Sequence, residues 1–292
     1  MPYPPEEEST PENAKTPGHY MSAAYYYWHA KMLEEMADIL GKDKEKENYS
    51  ICAENIKQAF QKRYFDKETC NYCTGSQTAN SVALSLDLCP AEYRGAVAKN
   101  VADNIVAMEY HNTTGTQGYR HLFYALSDEG YADLLYKMIV NPTYPGWGYM
   151  IACGAVSVWE RWESEAKIEM NSFNHPMFGS YDGWFFHKIA GLELGKGAVA
   201  ANTMRIIPML LKDVSFVTAE IETINGKATS SWKKVNDGVE YEFTLPYNVD
   251  SEIVLTGSEY EIISGSIQDE KTKNGKVFLK MLGGKMKIKV KN

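Results

Sequence analysis

One carboxylate in the sequence is flanked by residues that suit carbohydrate chemistry. Glu160 stands between Trp159 and Arg161, Trp162 follows, and Trp147 adds another indole close by in the sequence. Indole rings can stack on the C–H faces of sugars, and a carboxylate beside them can transfer protons as a general acid or base. An ion pair between Glu160 and Arg161 at the end of a helix would account for the same residues without catalysis. Composition alone therefore leaves both interpretations open.

The loop Met170-Asn-Ser-Phe-Asn-His175 adds polar groups shortly after this carboxylate. Its amides and imidazole can exchange hydrogen bonds with sugar hydroxyls, which both donate and accept. A single histidine such as His175 more often has a structural role, but its neighbours Asn171 and Asn174 favour a binding function. The sequence therefore indicates a candidate carbohydrate site around these residues.

Other reactive residues lack the spacing that their chemistry requires. Cys70 and Cys73 have the spacing of a metal-binding pair, but no second pair lies nearby, and a structural zinc site needs four ligands. The chain has five cysteines, an odd and low number that does not indicate a disulfide framework. The sequence contains no phosphate-binding loop, dinucleotide fingerprint, HExxH or GxSxG motif. We therefore expect neither a metal nor a cofactor.

Charge and hydropathy exclude two classes of partner. The formal net charge is −8 and no basic stripe occurs, which argues against nucleic-acid binding. The sequence has no apolar run approaching the roughly 20 residues of a membrane span. The N-terminus has neither the positive nor the apolar region of a secretory signal. These observations leave the compartment of the protein undecided.

Several segments, taken in order, resemble bacterial α-L-rhamnosidases of glycoside hydrolase family 78. They are Thr78-Ala-Asn-Ser-Val-Ala-Leu84, Tyr144-Pro-Gly-Trp-Gly-Tyr-Met150, Val158-Trp-Glu-Arg-Trp162, Met170-Asn-Ser-Phe-Asn-His175 and Phe178-Gly-Ser180. The resemblance runs from about Thr16 to the end of the chain, and the last part matches only in kind and position, as the family's C-terminal sandwich. It implies an (α/α)6 barrel and hydrolysis of terminal α-L-rhamnose with inversion.

The resemblance also implies roles for individual residues. Glu160 matches the family's general base, which activates a water, while a carboxylic acid roughly 6.5–9.5 Å away protonates the leaving oxygen. His175 matches a histidine that contacts the rhamnose. Trp147 and Asn174 lie in the matching motifs and are predicted to bind substrate. The implied partner is a rhamnose-containing glycoside or polysaccharide.

The chain departs from the family in three places. The family's general acid lies in an earlier segment resembling Asp-Cys-Pro-x-Arg-Glu-x-x-Gly-Trp, and this sequence has nothing like it. The loop between Glu160 and His175 is shorter than the family usually has. Asp182-Gly-Trp184 stands where the family often has Gly-Glu-Trp. We therefore expect this chain alone to lack the general acid and to be feebly active at most, and the substrate preference stays open.

The elements that position these residues change type near residue 200. Before it, the spacing of apolar residues predicts about eight helices that pair as hairpins, with short loops alternating with long ones, as in a helical toroid. The predicted helices are Tyr20–Leu40, Lys44–Tyr64, Gln77–Leu88, Pro90–Met108, Gln117–Leu126, Tyr131–Val140, Gly148–Arg161 and Phe178–Ile189. A complete (α/α)6 barrel has twelve helices, so we expect an incomplete toroid. Its uncovered apolar faces would self-associate or receive a missing N-terminal segment.

After residue 200, alternating sequences predict antiparallel strands with one buried face, as in Val239–Leu245 and Lys285–Val290. Hairpin turns are predicted at Asn225-Gly226, Asn236-Asp-Gly238 and Gly283-Gly284. The polar segment Ile267–Lys276 is predicted to be a mobile loop.

Together these patterns predict a mainly helical fold followed by a small β-sandwich. We divide the chain into a flexible N-terminal tail at residues 1–15, the helical toroid portion at 16–198, and a C-terminal antiparallel β-sandwich at 199–292.

Two alternatives to a glycosidase remain at this stage. The first is a non-catalytic carbohydrate-binding or vestigial module, which weak rhamnose binding that survives Glu160→Gln would favour. The second is another toroid enzyme, such as a polysaccharide lyase. A lyase is expected to use a tyrosine or histidine base on an acidic sugar, and it would release unsaturated products from uronic-acid polymers.

Overall fold

The computed structural model describes residues 16–115, 117–162 and 172–291. The predicted tail at residues 1–15 and Asn171 of the predicted binding loop lie outside these ranges. Contacts between Cα atoms divide the chain into two compact units, Met1–Ser180 and Tyr181–Asn292. Each unit is described by itself below.

Eight α-helices are described, which confirms the number that the sequence predicts. They are α1 (Gly18–Ile39), α2 (Asp43–Tyr64), α3 (Gln77–Ser85), α4 (Arg94–Ala107), α5 (Tyr119–Asp128), α6 (Ala132–Val140), α7 (Trp147–Ala152) and α8 (Ser180–Trp184). Short 3-10 turns at Ala91–Tyr93 and Pro176–Phe178 precede α4 and α8, and a π-helical turn at Phe185–Ile189 follows α8. A small hairpin of β1 (Phe65–Asp66) and β2 (Asn71–Tyr72) lies between α2 and α3.

The helices of the first unit pair along the chain, since α1 packs against α2, α3 against α4, and α5 against α6. Helix α3 also packs against α5, and residues 77–84 of α3 are all buried. A helix buried on every side lies in the interior of its unit, whereas α2 buries only Ala53, Phe60 and Tyr64. At the start of α3, Thr78 lies so close to Gly118 that a Cβ on Gly118 would be 2.3 Å from the Thr78 hydroxyl.

Helix α7 is shorter than its apolar pattern predicts. The predicted helix Gly148–Arg161 was wrong in its second half, because the observed helix ends at Ala152. Gly154 adopts a left-handed φ of 84° and donates to Ile151 O, while Ala155 N donates to Met150 O. This pair of bonds is the Schellman arrangement that ends helices. Glu160 therefore lies on a loop and not at the end of a helix.

The second unit is built from eight strands. They are β3 (Leu192–Leu194), β4 (Thr203–Ile206), β5 (Phe216–Thr223), β6 (Gly226–Val235), β7 (Gly238–Thr256), β8 (Tyr260–Ser264), β9 (Asp269–Lys273) and β10 (Lys276–Lys291). Among them, only β4 and β7 pair in parallel.

The two long strands β7 and β10 run side by side through two arrays. Residues 238–245 of β7 and 284–291 of β10 belong to the array β5-β6-β7-β10-β8. Residues 250–256 of β7 and 276–282 of β10 belong to the array β3-β4-β7-β10-β9. Buried side chains alternate with exposed ones along both strands, as the sequence predicts. The fold class, a helical toroid portion followed by a β-rich unit, is confirmed.

Two local predictions in this unit were wrong. Gly283-Gly284 does not make a hairpin turn, because it forms a bulge inside β10, where the register with β7 shifts between Leu282 and Gly284. The segment predicted as the mobile loop Ile267–Lys276 instead contains β9, which pairs with residues 276–280 of β10 across a turn at Asn274 and Gly275.

The two glycines of the bulge differ in the space available for a side chain. Both have left-handed φ angles, 62° at Gly283 and 87° at Gly284, but a Cβ on Gly283 would lie 2.4 Å from Pro246 O, whereas a Cβ on Gly284 meets nothing within 4 Å. We expect Gly284→Ala to lower the free energy of unfolding by about 1 kcal/mol through its φ alone. Gly283→Ala should cost at least about 1 kcal/mol more, because backbone must move. Urea denaturation of both variants measures the difference, and equal losses would contradict this account of the bulge.

Candidate active site

The described part of the loop between α7 and α8 is made of two segments, and hydrogen bonds join them. Glu160 N donates to Ser172 O at 3.0 Å, and His175 N donates to Val158 O at 2.8 Å. The structure therefore places the predicted base and the predicted sugar-binding histidine on adjacent, paired segments. Both residues are half-buried, so each combines support from the protein with access to a ligand.

Side-chain hydroxyls reinforce this pairing. Ser157 Oγ donates to Phe173 O at 2.5 Å. Ser172 Oγ donates to Asn174 O and accepts a hydrogen bond from Asn174 N, which closes a tight turn around Phe173. Asn174 itself is exposed. These bonds hold the loop in one conformation and leave the Asn174 side chain at the surface.

His175 is oriented by the backbone that follows it. Its Nδ1 accepts a hydrogen bond from Met177 N at 3.1 Å, and the imidazole thereby caps the 3-10 turn Pro176–Phe178. Because Nδ1 accepts, the neutral imidazole carries its proton on Nε2. Within the described ranges, no residue pairs with Nε2. The ring is therefore arranged to donate one hydrogen bond to a ligand oxygen.

An aromatic cluster supports the ends of the two segments. Trp162 stacks on Phe178 with ring centroids 4.0 Å apart and an interplanar angle of 24°. Trp147 meets Trp162 edge to face at 5.1 Å, and its indole N–H donates to Phe178 O at 3.0 Å. Tyr119 packs against Trp147 and Phe178. Tyr119 begins α5 and Trp147 begins α7, so the cluster fastens the loop to the N-terminal ends of both helices.

Trp147 lies inside this cluster, with only 4% of its surface exposed. The structure thus places Glu160, Asn174 and His175 on the paired segments of the loop and buries Trp147 in the aromatic cluster at the ends of those segments. Sequence reasoning identified these residues from motifs. The sequence did not predict that Tyr119 and Phe178 support the loop. The only signals were the position of Tyr119 near the start of a predicted helix and that of Phe178 in the Phe-Gly-Ser motif.

A buried amide anchors the neighbouring loop, which runs from α4 to α5. Gln77 is 1% exposed, and its side-chain carbonyl accepts from Thr113 N at 3.0 Å. Its amide nitrogen donates to Asn104 Oδ1 and to His111 O. Gln77 immediately precedes the motif that begins at Thr78. That motif therefore builds the interior of the unit, and its network was not predicted from the sequence.

Among the described residues, no group of three or more His, Cys, Asp or Glu side chains is placed to hold a metal ion. Within the same ranges, no helix is both long and apolar enough to cross a membrane. A cavity of about 320 Å³ lies beside α1 and α2, lined by residues that include Trp28, Lys31 and Lys46. None of the predicted site residues lines it.

The comparisons with known proteins agree with this fold. Residues 3–189 match the bacterial α-L-rhamnosidase six-hairpin glycosidase domain, and residues 201–270 match the bacterial α-L-rhamnosidase C-terminal domain. The fold class is thus that of the six-hairpin glycosidases. Because the first match alone covers more than half of the chain, this protein belongs to the bacterial α-L-rhamnosidase family, as its motifs predicted.

Individual relatives extend over nearly the whole chain. An α-L-rhamnosidase of Formosa agariphila is 29% identical over 290 residues, which cover 96% of this chain and 31% of that protein. The crystal structure of the Streptomyces avermitilis α-L-rhamnosidase complexed with L-rhamnose matches with a TM-score of 0.86 and 28% identity, over 94% of this chain and 27% of that one. The α-L-rhamnosidase of Dictyoglumus thermophilum matches with a TM-score of 0.83 and 31% identity, over 92% and 31%. The chain therefore spans less than a third of each of these relatives.

The buried His121 links three helices of the first unit. His121 on α5 lies 2.9 Å from Ser85 Oγ through Nδ1 and 3.3 Å from the Tyr25 hydroxyl through Nε2. Ser85 ends α3 and Tyr25 lies on α1. Burial, and to a lesser degree the charge of Arg120, lowers the pKa of His121 from its ordinary value to about 4.

This pKa makes stability depend on pH. Between about pH 6.5 and 4 the unfolded chain binds a proton at this histidine that the folded chain does not, so stability falls as the pH is lowered through this window. One pKa unit corresponds to about 1.4 kcal/mol, so the loss from pH 7 to 4.5 is about 2–3 kcal/mol. Replacing His121 by Gln removes this contribution to the pH dependence of stability.

The measurement is the free energy of unfolding from urea titrations at pH 7 and pH 4.5. We expect the advantage of the unmodified chain over His121→Gln to shrink by about 2–3 kcal/mol at the lower pH. His29→Gln, at an exposed position on α1, serves as the control. Parallel pH profiles for the unmodified chain and His121→Gln would contradict the assignment.

Proposed function

We propose that this chain is the part of an inverting α-L-rhamnosidase that carries the general base, Glu160. The observation that carries the proposal is the backbone pairing of the Glu160 segment with the Ser172–His175 segment, which brings together the segments that carry the carboxylate and an imidazole whose N–H is available. A base for water activation and a donor for a sugar hydroxyl are two groups that such hydrolysis requires. The similarity to the S. avermitilis enzyme complexed with L-rhamnose supports the same substrate class.

In this proposal, Glu160 acts in catalysis, and other residues of the loop bind the sugar. Glu160 accepts a proton from the water that attacks the anomeric carbon on the face opposite the leaving oxygen. His175 donates through Nε2 to a rhamnose hydroxyl, and Asn174 offers its exposed amide to another. Trp147, being buried, contributes chiefly by holding Phe178 and Trp162 in place.

The proposal assigns the general acid to a part of the whole protein outside this chain. Losing the general acid costs about 10²–10⁴-fold in rate. The uncovered apolar side chains of α1, which include Tyr26, Leu33, Met36 and Ile39, support the same interpretation, because contiguous exposed apolar residues mark surfaces that another segment covers. We propose that further helices of the toroid, or a second copy of the chain, occupy this face.

Release of rhamnose from methyl α-L-rhamnopyranoside, whose alkoxide leaving group needs a proton, tests the catalytic part. We expect the purified chain to release rhamnose at most at about 10⁻² to 10⁻⁴ of the rate of a complete relative, and Glu160→Gln to abolish this residual activity. Glu47→Gln, on the exposed side of α2, is the matched control and should leave it unchanged. Efficient turnover by the chain would overturn the assignment of the acid elsewhere. Binding without any hydrolysis, unaffected by Glu160→Gln, would favour the non-catalytic module.

Binding of methyl α-L-rhamnopyranoside tests the histidine. His175→Ala removes one hydrogen bond to a sugar hydroxyl, worth about 0.5–1.5 kcal/mol, so the dissociation constant should rise about three- to tenfold. Isothermal titration calorimetry gives this constant, with His29→Ala as a control at an exposed site. An unchanged constant in His175→Ala would remove His175 from the proposed site.

A further inference from the structure

Phe173 differs from the other aromatic residues of the candidate loop in its exposure. Trp159, Trp162 and Phe178 are between 3% and 6% exposed, whereas 54% of Phe173 remains exposed. Burying a phenylalanine ring is strongly favourable, so a half-exposed ring in a loop with several buried ones contributes little to folding. Within a candidate binding loop, such an exposed ring is available to contact a ligand.

The position of Phe173 is fixed although its ring is exposed. Ser157 Oγ donates to its carbonyl, and the hydroxyl of Ser172 closes the turn around it. The ring of Phe173 meets that of Trp159 edge to face, with centroids 5.5 Å apart and an interplanar angle of 83°. An apolar surface held in place before binding loses little conformational entropy when a ligand contacts it.

A second exposed apolar residue precedes the serine that bonds to the backbone of Phe173. Val156 is fully exposed and immediately precedes Ser157, whose hydroxyl bonds to Phe173. We name Val156 and Phe173 together the apolar lip. The polar residues Asn174 and His175 follow Phe173 directly in the chain. The loop therefore presents an apolar part and a polar part next to each other, which suits a ligand with the same division.

We propose that Phe173 is a specificity-determining residue, and that the apolar lip contacts the leaving group of the rhamnoside and favours an aromatic one. This inference rests on the proposed function of the loop. The side chains of Phe173 and Val156 can stack on the C–H face of a second sugar, but they have no polar atom to pair with its hydroxyls, whose burial without partners is unfavourable. An aromatic leaving group, in contrast, can pack on the ring of Phe173 in an offset or edge-to-face geometry.

The experiment compares two probes that share the rhamnose and differ in the group attached to it. Dissociation constants of phenyl and methyl α-L-rhamnopyranoside are measured by isothermal titration calorimetry. Aromatic pairs contribute enough to change affinity about three- to tenfold, so the unmodified chain should bind the phenyl glycoside more tightly by that factor. Phe173→Ala should abolish this preference and leave the constant for the methyl glycoside unchanged, which also shows that the variant is folded.

Two further variants of Phe173 and one control variant test whether the aromatic ring itself causes the preference. Phe173→Leu keeps an apolar side chain without the ring and should lose most of the preference, whereas Phe173→Tyr should keep it. Phe216→Ala, at a 64% exposed phenylalanine of β5, should behave like the unmodified chain.

The outcomes separate this inference from the proposed function. Equal binding of the two probes by the unmodified chain, or a preference that survives Phe173→Ala, overturns the role of Phe173 while rhamnose binding itself stands. If the unmodified chain binds neither probe, both the proposed function and the inference are wrong.

Discussion

The stack of Trp162 on Phe178 is the contact on which the candidate site depends. Trp162 ends one described segment of the loop, and Phe178 follows the other along the chain. Trp147 fixes both of them, by an edge contact to the Trp162 ring and a hydrogen bond to the backbone of Phe178. Backbone pairing between loop segments in water is weak by itself, because each hydrogen bond replaces bonds to solvent. A closely packed aromatic support excludes that solvent and adds apolar burial. The arrangement of the Glu160 and His175 segments therefore rests on buried aromatic residues.

Much of the helical unit could be predicted from the sequence, because its signals are local. The predicted helix Tyr20–Leu40 is observed as Gly18–Ile39, and Gly41 follows its C-cap with a left-handed φ of 64°. The end of α7 was missed although Gly154 gave the same kind of signal, because apolar residues at Val156, Val158 and Trp162 continued a helical spacing beyond it. Those residues are apolar for a different reason, which only the folded loop shows: Trp162 packs in the aromatic cluster, and Val156 is exposed.

The failures in the β unit and the gaps in the site share a physical cause. Two adjacent glycines are compatible with a hairpin turn or with a bulge, and only the distant partner strand decides between them. Strand β9 was predicted as a loop because all five of its residues are exposed, so no alternation marks it. In the site, the motifs identified Glu160 and His175, but the tautomer of His175 depends on Met177 N, and the pairing of the segments depends on contacts that no local pattern contains.

Both arrays of the second unit contain β7 and β10, and this sharing couples the unfolding of one array to that of the other. Strands that each belonged to one array would allow one array to melt while the other stayed folded. Here every inner hydrogen-bond ladder of both arrays runs along one of the same two strands. We therefore expect the two arrays to unfold together, and the amide protons of the β7–β10 ladder to be among the slowest of the unit to exchange with solvent.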